Sequence, residues 1–197
     1  MSEEKSIEQE IVIHPLNDGI DHINMYTKGK TELGRLLTNL AHTPFDLPEG
    51  HFESVEAYWY WLLCDKKVDE LKSLHSFKAK EFGKKLKKEG LLVKSSSDSD
   101  FQDKIKYAIR QKLKQNPHIL VKLLQTTLPL KHYYYYQGTK NKESFNVQEQ
   151  TKYYWINDEI ERIRNVCFKK MAEAGQISSE HPMESEVNNI KKPIFKK

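Results

Sequence analysis

The segment FQDKIKYAIRQKLKQ sets Phe101, Ile105, Ile109 and Leu113 four residues apart, with polar residues between them. Only a helix brings those side chains to one face. The same period returns along the chain. TELGRLLTNL aligns Leu33, Leu36, Leu37 and Leu40, and FKAKEFGKKLKKEG spaces Phe77, Phe82 and Leu86 before a terminating Gly90. NPHILVKLLQTT offers Asn116 as cap, Pro117 at the first helical position and Pro129 beyond its end. QTKYYWINDEIERIRNVCF aligns Ile156, Ile160, Ile163 and Cys167, and VEAYWYWLLC follows Ser54, a suitable N-cap. Between the first two helices, AHTPFDLPEGHFES carries two prolines and a glycine among polar residues and reads as a loop. Strand candidates are few, HINMY and HYYYYQ. The expected fold is therefore α+β, predominantly helical, a single domain with a small β element.

A chain of 197 residues can bury one sizeable core. With 38% apolar and 30% charged residues it has the balance of a soluble globular protein. A formal charge of +4 permits an anionic ligand without the density of a dedicated nucleic-acid binder. Residues 1–20 read as a polar arm whose piece IVIHPL either adds an edge strand or lies on the surface. Residues 21–170 read as the domain, and 171–197, where periodicity is lost, as a mobile tail. The opening MSEEKSIEQE is acidic and polar, no apolar run is long enough to span a membrane, and Cys64 and Cys167 form no CxxC pair. These features point to a cytoplasmic protein with reduced thiols and no membrane partner.

Several familiar chemistries fail on spacing. Gly29-Lys30-Thr31 ends like a phosphate-binding loop, but Asn24 stands where the first glycine is required. Lys28 and Lys30 remain candidates for solvent or loose phosphate contact. The histidines show no metal-ligand spacing, although His42, His51 and His132 could meet in space. There is no GxSxG elbow and no GxGxxG fingerprint. The lysines of KAKEFGKKLKKEG lie opposite an apolar stripe and read as a solvated face. No metal or redox cofactor is called for.

The segment ESVEAYWYWL is more informative. On a helix starting at Ser54, Glu56 shares a face with Trp59 and Tyr60, whereas Tyr58 and Trp61 point elsewhere. Glu56 in the first turn is explained either by the helix dipole or by chemistry. An acid between aromatic faces suits hydrolysis at a sugar C1, where a carboxylate directs water and flat rings hold a base. In HYYYYQG, Tyr134 and Tyr136 face one side of a strand and Tyr133 and Tyr135 the other, so one pair can offer phenols to a ligand. Arg35 has the planar fork for phosphate, and Asn39 can both donate to and accept from ribose hydroxyls.

Taken in order, INMYTKGKTELGRLLTNLAHTPF, FESVEAYWYWL, FKAKEFGKKL and HYYYYQG resemble the NADAR family, also called YbiA-like, over roughly residues 22–168. The resemblance implies a mostly helical α+β fold and cleavage of N-glycosidic bonds in nucleotide-type substrates, including release of ADP-ribose from a modified base. It places the motif asparagine at Asn39, the central acid at Glu56, the following aromatic at Tyr58 or Trp59, and the basic position at Lys80. Thr38 stands where the family has serine and keeps the hydroxyl, while Leu40 replaces a phenylalanine. A tryptophan carried by many relatives before the middle helix is missing. The acidic, tryptophan-containing C-terminal pattern of the bacterial enzymes is replaced by LKHYYYYQG.

The expectation is an N-glycosidase with Glu56 and Asn39 catalytic. Arg35, Lys30 and Lys80 would hold phosphate. Thr38, Trp59, Tyr60, Tyr134 and Tyr136 would complete the site for an ADP-ribose-like or nucleotide molecule, free or attached to nucleic acid. The alternatives are a non-catalytic nucleotide binder and an interaction module whose aromatic helix is all core.

Overall fold

The apolar stripe of FQDKIKYAIRQKLKQ becomes α4 (Ser99–Gln115), whose Phe101, Ile105, Ile109 and Leu113 are all buried. The computed structural model describes residues 13–138, 144–177 and 190. All six helical segments read from periodicity form helices: α1 (Glu32–Leu37), α2 (Val55–Leu63), α3 (Ser76–Lys88), α4, α5 (Pro117–Leu124) and α6 (Tyr154–Glu173). Among the described residues the strands form three separate two-stranded sheets. β1 (Ile23–Asn24) pairs in parallel with β4 (Leu130–Lys131). β2 (Phe45–Leu47) and β3 (Gly50–Phe52) form an antiparallel hairpin, as do β5 (Tyr133–Gln137) and β6 (Phe145–Glu149). The coarse class, α+β with small sheets, is that of this protein.

The core gathers around α2, which packs against α3 and α4. Gly83 makes the α2–α3 contact possible. A Cβ at that position would lie 2.2 Å from the Tyr60 ring, so the aromatic ring occupies the space a side chain would fill. Gly34 plays the same part between α1 and β1, where a Cβ would meet the Asn24 carbonyl at 2.3 Å.

Four sequence expectations change. The loop 41–54 contains the β2–β3 hairpin. Phe45, Leu47 and Phe52 alternate inward while Asp46 and His51 face solvent, and the proline and glycine that signalled a loop border or form the turn. In HYYYYQ the strand begins only after His132, since Leu130–Lys131 leave to pair with β1. The end of the polar arm belongs to the domain. Pro15–Asn17 form a single 3-10 turn, and the buried Asp18 carboxylate accepts from the Asn24 and Lys30 amides at 2.9 and 2.6 Å. Residues 1–12 of the arm lie outside the described residues.

At the other end α6 runs on past residue 170, burying Met171, with Ile177 and Ile190 also buried. The Gln125 side chain donates to the Ile190 carbonyl at 3.0 Å. The rest of the expected tail lies outside the described residues. Among the described residues no helix is long and apolar enough to cross a membrane.

Replacing Gly83 by alanine forces α3 away from Tyr60. Overpacking of this kind costs about 1–3 kcal/mol, so chemical denaturation of Gly83→Ala is expected to show a midpoint lowered accordingly, with the slope unchanged.

Candidate functional site

The α2 helix splits its aromatic residues between two faces. Tyr58 and Trp61 enter the core against Phe52, with ring centroids 4.9 and 5.6 Å from it. Glu56, Trp59 and Tyr60 face the other way, into a cleft of about 400 Å³. That volume falls among pockets that hold small-molecule ligands. Ser54 starts the helix: its hydroxyl accepts from the Ala57 amide at 3.2 Å and donates to the Leu74 carbonyl at 3.1 Å.

The strip Thr38–Asn39–Leu40 forms part of the wall beside the start of α2. Its three carbonyls are taken by three different elements. Thr38 accepts from the Lys112 ammonium of α4 at 2.9 Å, Asn39 from the Glu56 amide of α2 at 2.8 Å, and Leu40 from the Ser76 amide of α3 at 2.9 Å. Ser76 reaches that carbonyl from a left-handed backbone conformation, φ 54°, which a serine rarely adopts. The Glu56 amide is one of the free N–H groups of a helix start, so the Asn39 carbonyl both completes α2 and fixes Asn39 beside Glu56.

Other elements close the cleft. α3 supplies Phe77 and Lys80, the turn after β1 supplies Tyr26, Thr27 and Lys28, and β5 supplies Tyr134 and Tyr136. The β5 alternation follows the sequence pattern. Tyr133 is buried with its hydroxyl 2.6 Å from His22 Nε2, whereas Tyr134 and Tyr136 face the cleft, Tyr136 largely exposed at its rim. Trp59 is held edge-on by Phe101 and Tyr153 and stacked on Trp155, which fixes its ring plane.

The electrostatics of the cleft are unusual at Glu56. Burial raises its carboxyl to about 7, against which the nearby Lys80 ammonium pulls downward. Among the described residues no hydrogen bond or ion pair holds this carboxylate. Glu53, three residues earlier, has the opposite fate. It sits outside the cleft, bonded to His42 at 2.6 Å and paired with His51 at 3.4 Å, and those contacts lower its pKa, the His42 hydrogen bond most.

His132, between β4 and β5, also lines the cleft. Burial, then Lys80, lowers its imidazole to about 4, so the ring is neutral throughout the physiological range. Tyr153 stacks against it at 6.1 Å and Tyr134 meets it edge-on at 5.7 Å.

The structure thus brings Thr38, Asn39, Glu56, Trp59, Tyr60, Lys80, Tyr134 and Tyr136 to one cleft. Arg35 and Lys30 are not among its lining residues. The Arg35 guanidinium donates to the Gly29 and Lys30 carbonyls, both at 2.8 Å, and the Lys30 ammonium donates to the Leu16 carbonyl at 2.7 Å. Their cations brace the turn that carries Lys28 instead of facing the cleft. His42 and His51 meet on Glu53, while His132 stands apart in the cleft; among the described residues no group of His, Cys, Asp and Glu is arranged to hold a metal ion.

The wall residues Tyr26, Phe77, His132 and Tyr153 were not read from the sequence as site residues. His132 and Tyr26 border the strand candidates, a usable signal. Phe77 looked like core because it falls on the apolar stripe of α3, and nothing local marks Tyr153. Comparison with protein-family models, curated proteins and solved structures found no match.

A neutral His132 has a thermodynamic consequence. Its folded pKa, about 4, lies below the ordinary 6.5, so the folded state holds fewer protons than the unfolded chain between those values. Stability should therefore fall as pH drops from 6.5 towards 4, by on the order of 3 kcal/mol from this group, and be unaffected by it above 6.5. Nitrogen NMR of the imidazoles should show His132 still neutral at pH 5, and denaturation of His132→Gln should show a shallower acid limb.

Proposed function

We propose that this protein is an N-glycosidase that hydrolyses the bond between a ribose C1 and a base nitrogen in an ADP-ribose-linked or nucleotide-type substrate, such as a base carrying ADP-ribose. The observation that carries this reading is the convergence of Asn39, Glu56 and Lys80 on one aromatic-walled cleft, with Glu56 titrating at about 7. The resemblance of the motif segments to the NADAR family supports it.

In this reading the base lies among the cleft's rings, Tyr134 and Tyr136 of β5 among them. The Asn39 side chain, on a residue whose backbone carbonyl is held by the Glu56 amide, meets the ribose hydroxyls with its donor and acceptor ends. A water bonds to the Glu56 carboxylate. As the C1–N bond lengthens, its electron pair passes to the base nitrogen and positive charge collects at C1. The ionised carboxylate stabilises that charge, and water adds to C1 as its proton passes to Glu56. The base leaves as its nitrogen takes up a proton from water, Glu56 returns the proton it accepted to solvent, and the Lys80 ammonium offsets negative charge on the departing side. Lys28, in the braced turn and lining the cleft, takes the phosphate in this reading.

A base near 7 is well matched to neutral pH, because it is half ionised and still strong enough to accept a proton. The raised pKa also has a cost. The folded state holds more protons than the unfolded chain between pH 4.5 and 7, so the stability this group contributes at low pH is lost as pH rises through about 7.

Two outcomes are expected. Release of base from ADP-ribosylated nucleosides should show kcat/KM rising about tenfold per pH unit up to a midpoint near 7 and then levelling. Glu56→Gln should abolish release by a factor of roughly 10² or more, while unfolding at a higher temperature than the parent at pH 8. Turnover equal in the two proteins would remove Glu56 from the mechanism; binding retained with no turnover in either would identify a nucleotide-binding protein instead. Lys28→Met should weaken ADP-ribose in calorimetry by about threefold to tenfold, roughly 1 kcal/mol as for a partly exposed charged contact, and leave adenosine unaffected.

A further inference from the structure

The α4 stripe contains one residue that breaks its own rule. Phe101, Ile105, Ala108, Ile109 and Leu113 are buried on one face, and Lys112 occupies the next slot of the same face, 2% exposed. Its ammonium donates to the Thr38 carbonyl at 2.9 Å. Among the described residues no carboxylate pairs with it. Burial alone acts on its charge and lowers its pKa to about 7. A buried cation without a counter-charge is expensive, and a methionine of similar length would fill the slot without that cost. The lysine is therefore better explained by what its nitrogen holds than by packing.

What it holds is the first residue of the cleft wall. The last turn of α4 binds the chain from 38 to 46 at several points. Besides Lys112 on Thr38, the Asn116 side chain donates to the Pro44 carbonyl at 2.8 Å, and Gln115 bonds both the amide and the carbonyl of Asp46, at 2.7 and 2.9 Å. Asn116 and Gln115 anchor the hairpin. Only Lys112 reaches back to the strip itself, one residue before Asn39.

We propose that Lys112 is a positioning residue for this cleft: through the Thr38 carbonyl it sets where the Asn39 side chain stands relative to Glu56. It touches no ligand. The assignment rests on reading this cleft as the ligand site, and does not depend on which bond is broken there.

The test uses the full chain and the probe ADP-ribose. Lys112→Met should fold and melt at least as high as the parent at pH 6, because a buried charge has been removed. It should nevertheless bind ADP-ribose at least tenfold more weakly, and the side-chain amide signals of Asn39 should move while those of Asn157 stay in place. Asn157 is buried elsewhere, donating to the Leu130 carbonyl at 3.2 Å. Lys112→Gln, which keeps a donor on a shorter arm, should recover part of the affinity.

A Lys112→Met protein with unchanged affinity and unmoved Asn39 signals overturns the proposal and leaves Lys112 as a cap on α1. If neither variant folds, Glu56→Gln decides, because the neighbouring carboxyl no longer titrates there: the Thr38 carbonyl carbon and the Asn39 side-chain amide should shift with a common midpoint, that of the Lys112 ammonium, and an Asn39 amide that does not follow the Thr38 carbon overturns the proposal. If the parent itself binds no ADP-ribose, the ligand reading fails, and the Asn39 signals of Lys112→Met still decide the positioning role.

Discussion

Three consecutive carbonyls hold this structure's cleft together. Those of Thr38, Asn39 and Leu40 are bound by α4, α2 and α3 in turn, so one short strip ties together three successive helices. An irregular segment normally satisfies its backbone with water and is free to move. Here the polar backbone faces inward to helix starts and a buried ammonium, and the side chains are what remains to line the cleft. The same bonds finish the helices. The start of α2 has a free amide at Glu56 that the Asn39 carbonyl fills, and α3 begins at Ser76, whose amide fills the next carbonyl. Helix ends and cleft wall are thus one set of interactions.

That arrangement explains why α2 can carry two different aromatic faces. A helix whose rings all served the core would present its polar residues to solvent. In α2 the side away from the core meets the strip, α3 and β5 before it meets water, so Glu56 is desolvated among rings and its carboxyl rises to about 7. The contact with α3 is close because residue 83 is glycine, and a larger residue there would strike Tyr60. Glu53 shows that the shift comes from placement and not from the helix start as such. Three residues earlier, exposed to two histidines, the same side chain is held low.

Much of this was legible in the sequence because it is periodic. The spacing of Glu56, Trp59 and Tyr60 on a helix is enough to separate them from Tyr58 and Trp61, and the tyrosine alternation in β5 separates Tyr134 and Tyr136 from Tyr133 and Tyr135. What was not legible depends on contacts across the chain. Arg35 and Lys30 look like phosphate ligands by residue type. Whether a guanidinium faces a ligand or the carbonyls of Gly29 and Lys30 is decided by how α1 packs, which local pattern does not encode. His132 failed for a related reason: its neutrality comes from burial beside Tyr153, some twenty residues away, and from Lys80 on another helix. The β2–β3 hairpin was hidden because its strands are only three residues each, and the turn chemistry around them outweighs the alternation.

Four unfavourable features of the molecule lie close together. A serine in the left-handed region, a lysine buried without a counter-charge, a carboxyl held near 7 and an imidazole held near 4 all lie on or directly behind the wall of one cleft. Each lowers stability on its own, by amounts on the order of 1–3 kcal/mol. Elsewhere the local rules agree with one another: stripes are apolar, Ser54 caps α2, and Gly90 follows α3 in the left-handed conformation, φ 74°. A sequence shaped for stability alone would relieve such features independently, since none of them is needed to bury the core. Local rules are broken most often at functional or strained places, and here four such breaks share one cleft, while among the described residues the unpartnered Asn157 Oδ1 stands alone. That grouping also ranks the residues. Tyr58 and Trp61 are as aromatic as Trp59 and Tyr60, but Glu56, Lys80, His132 and the pinned strip all lie with the latter pair.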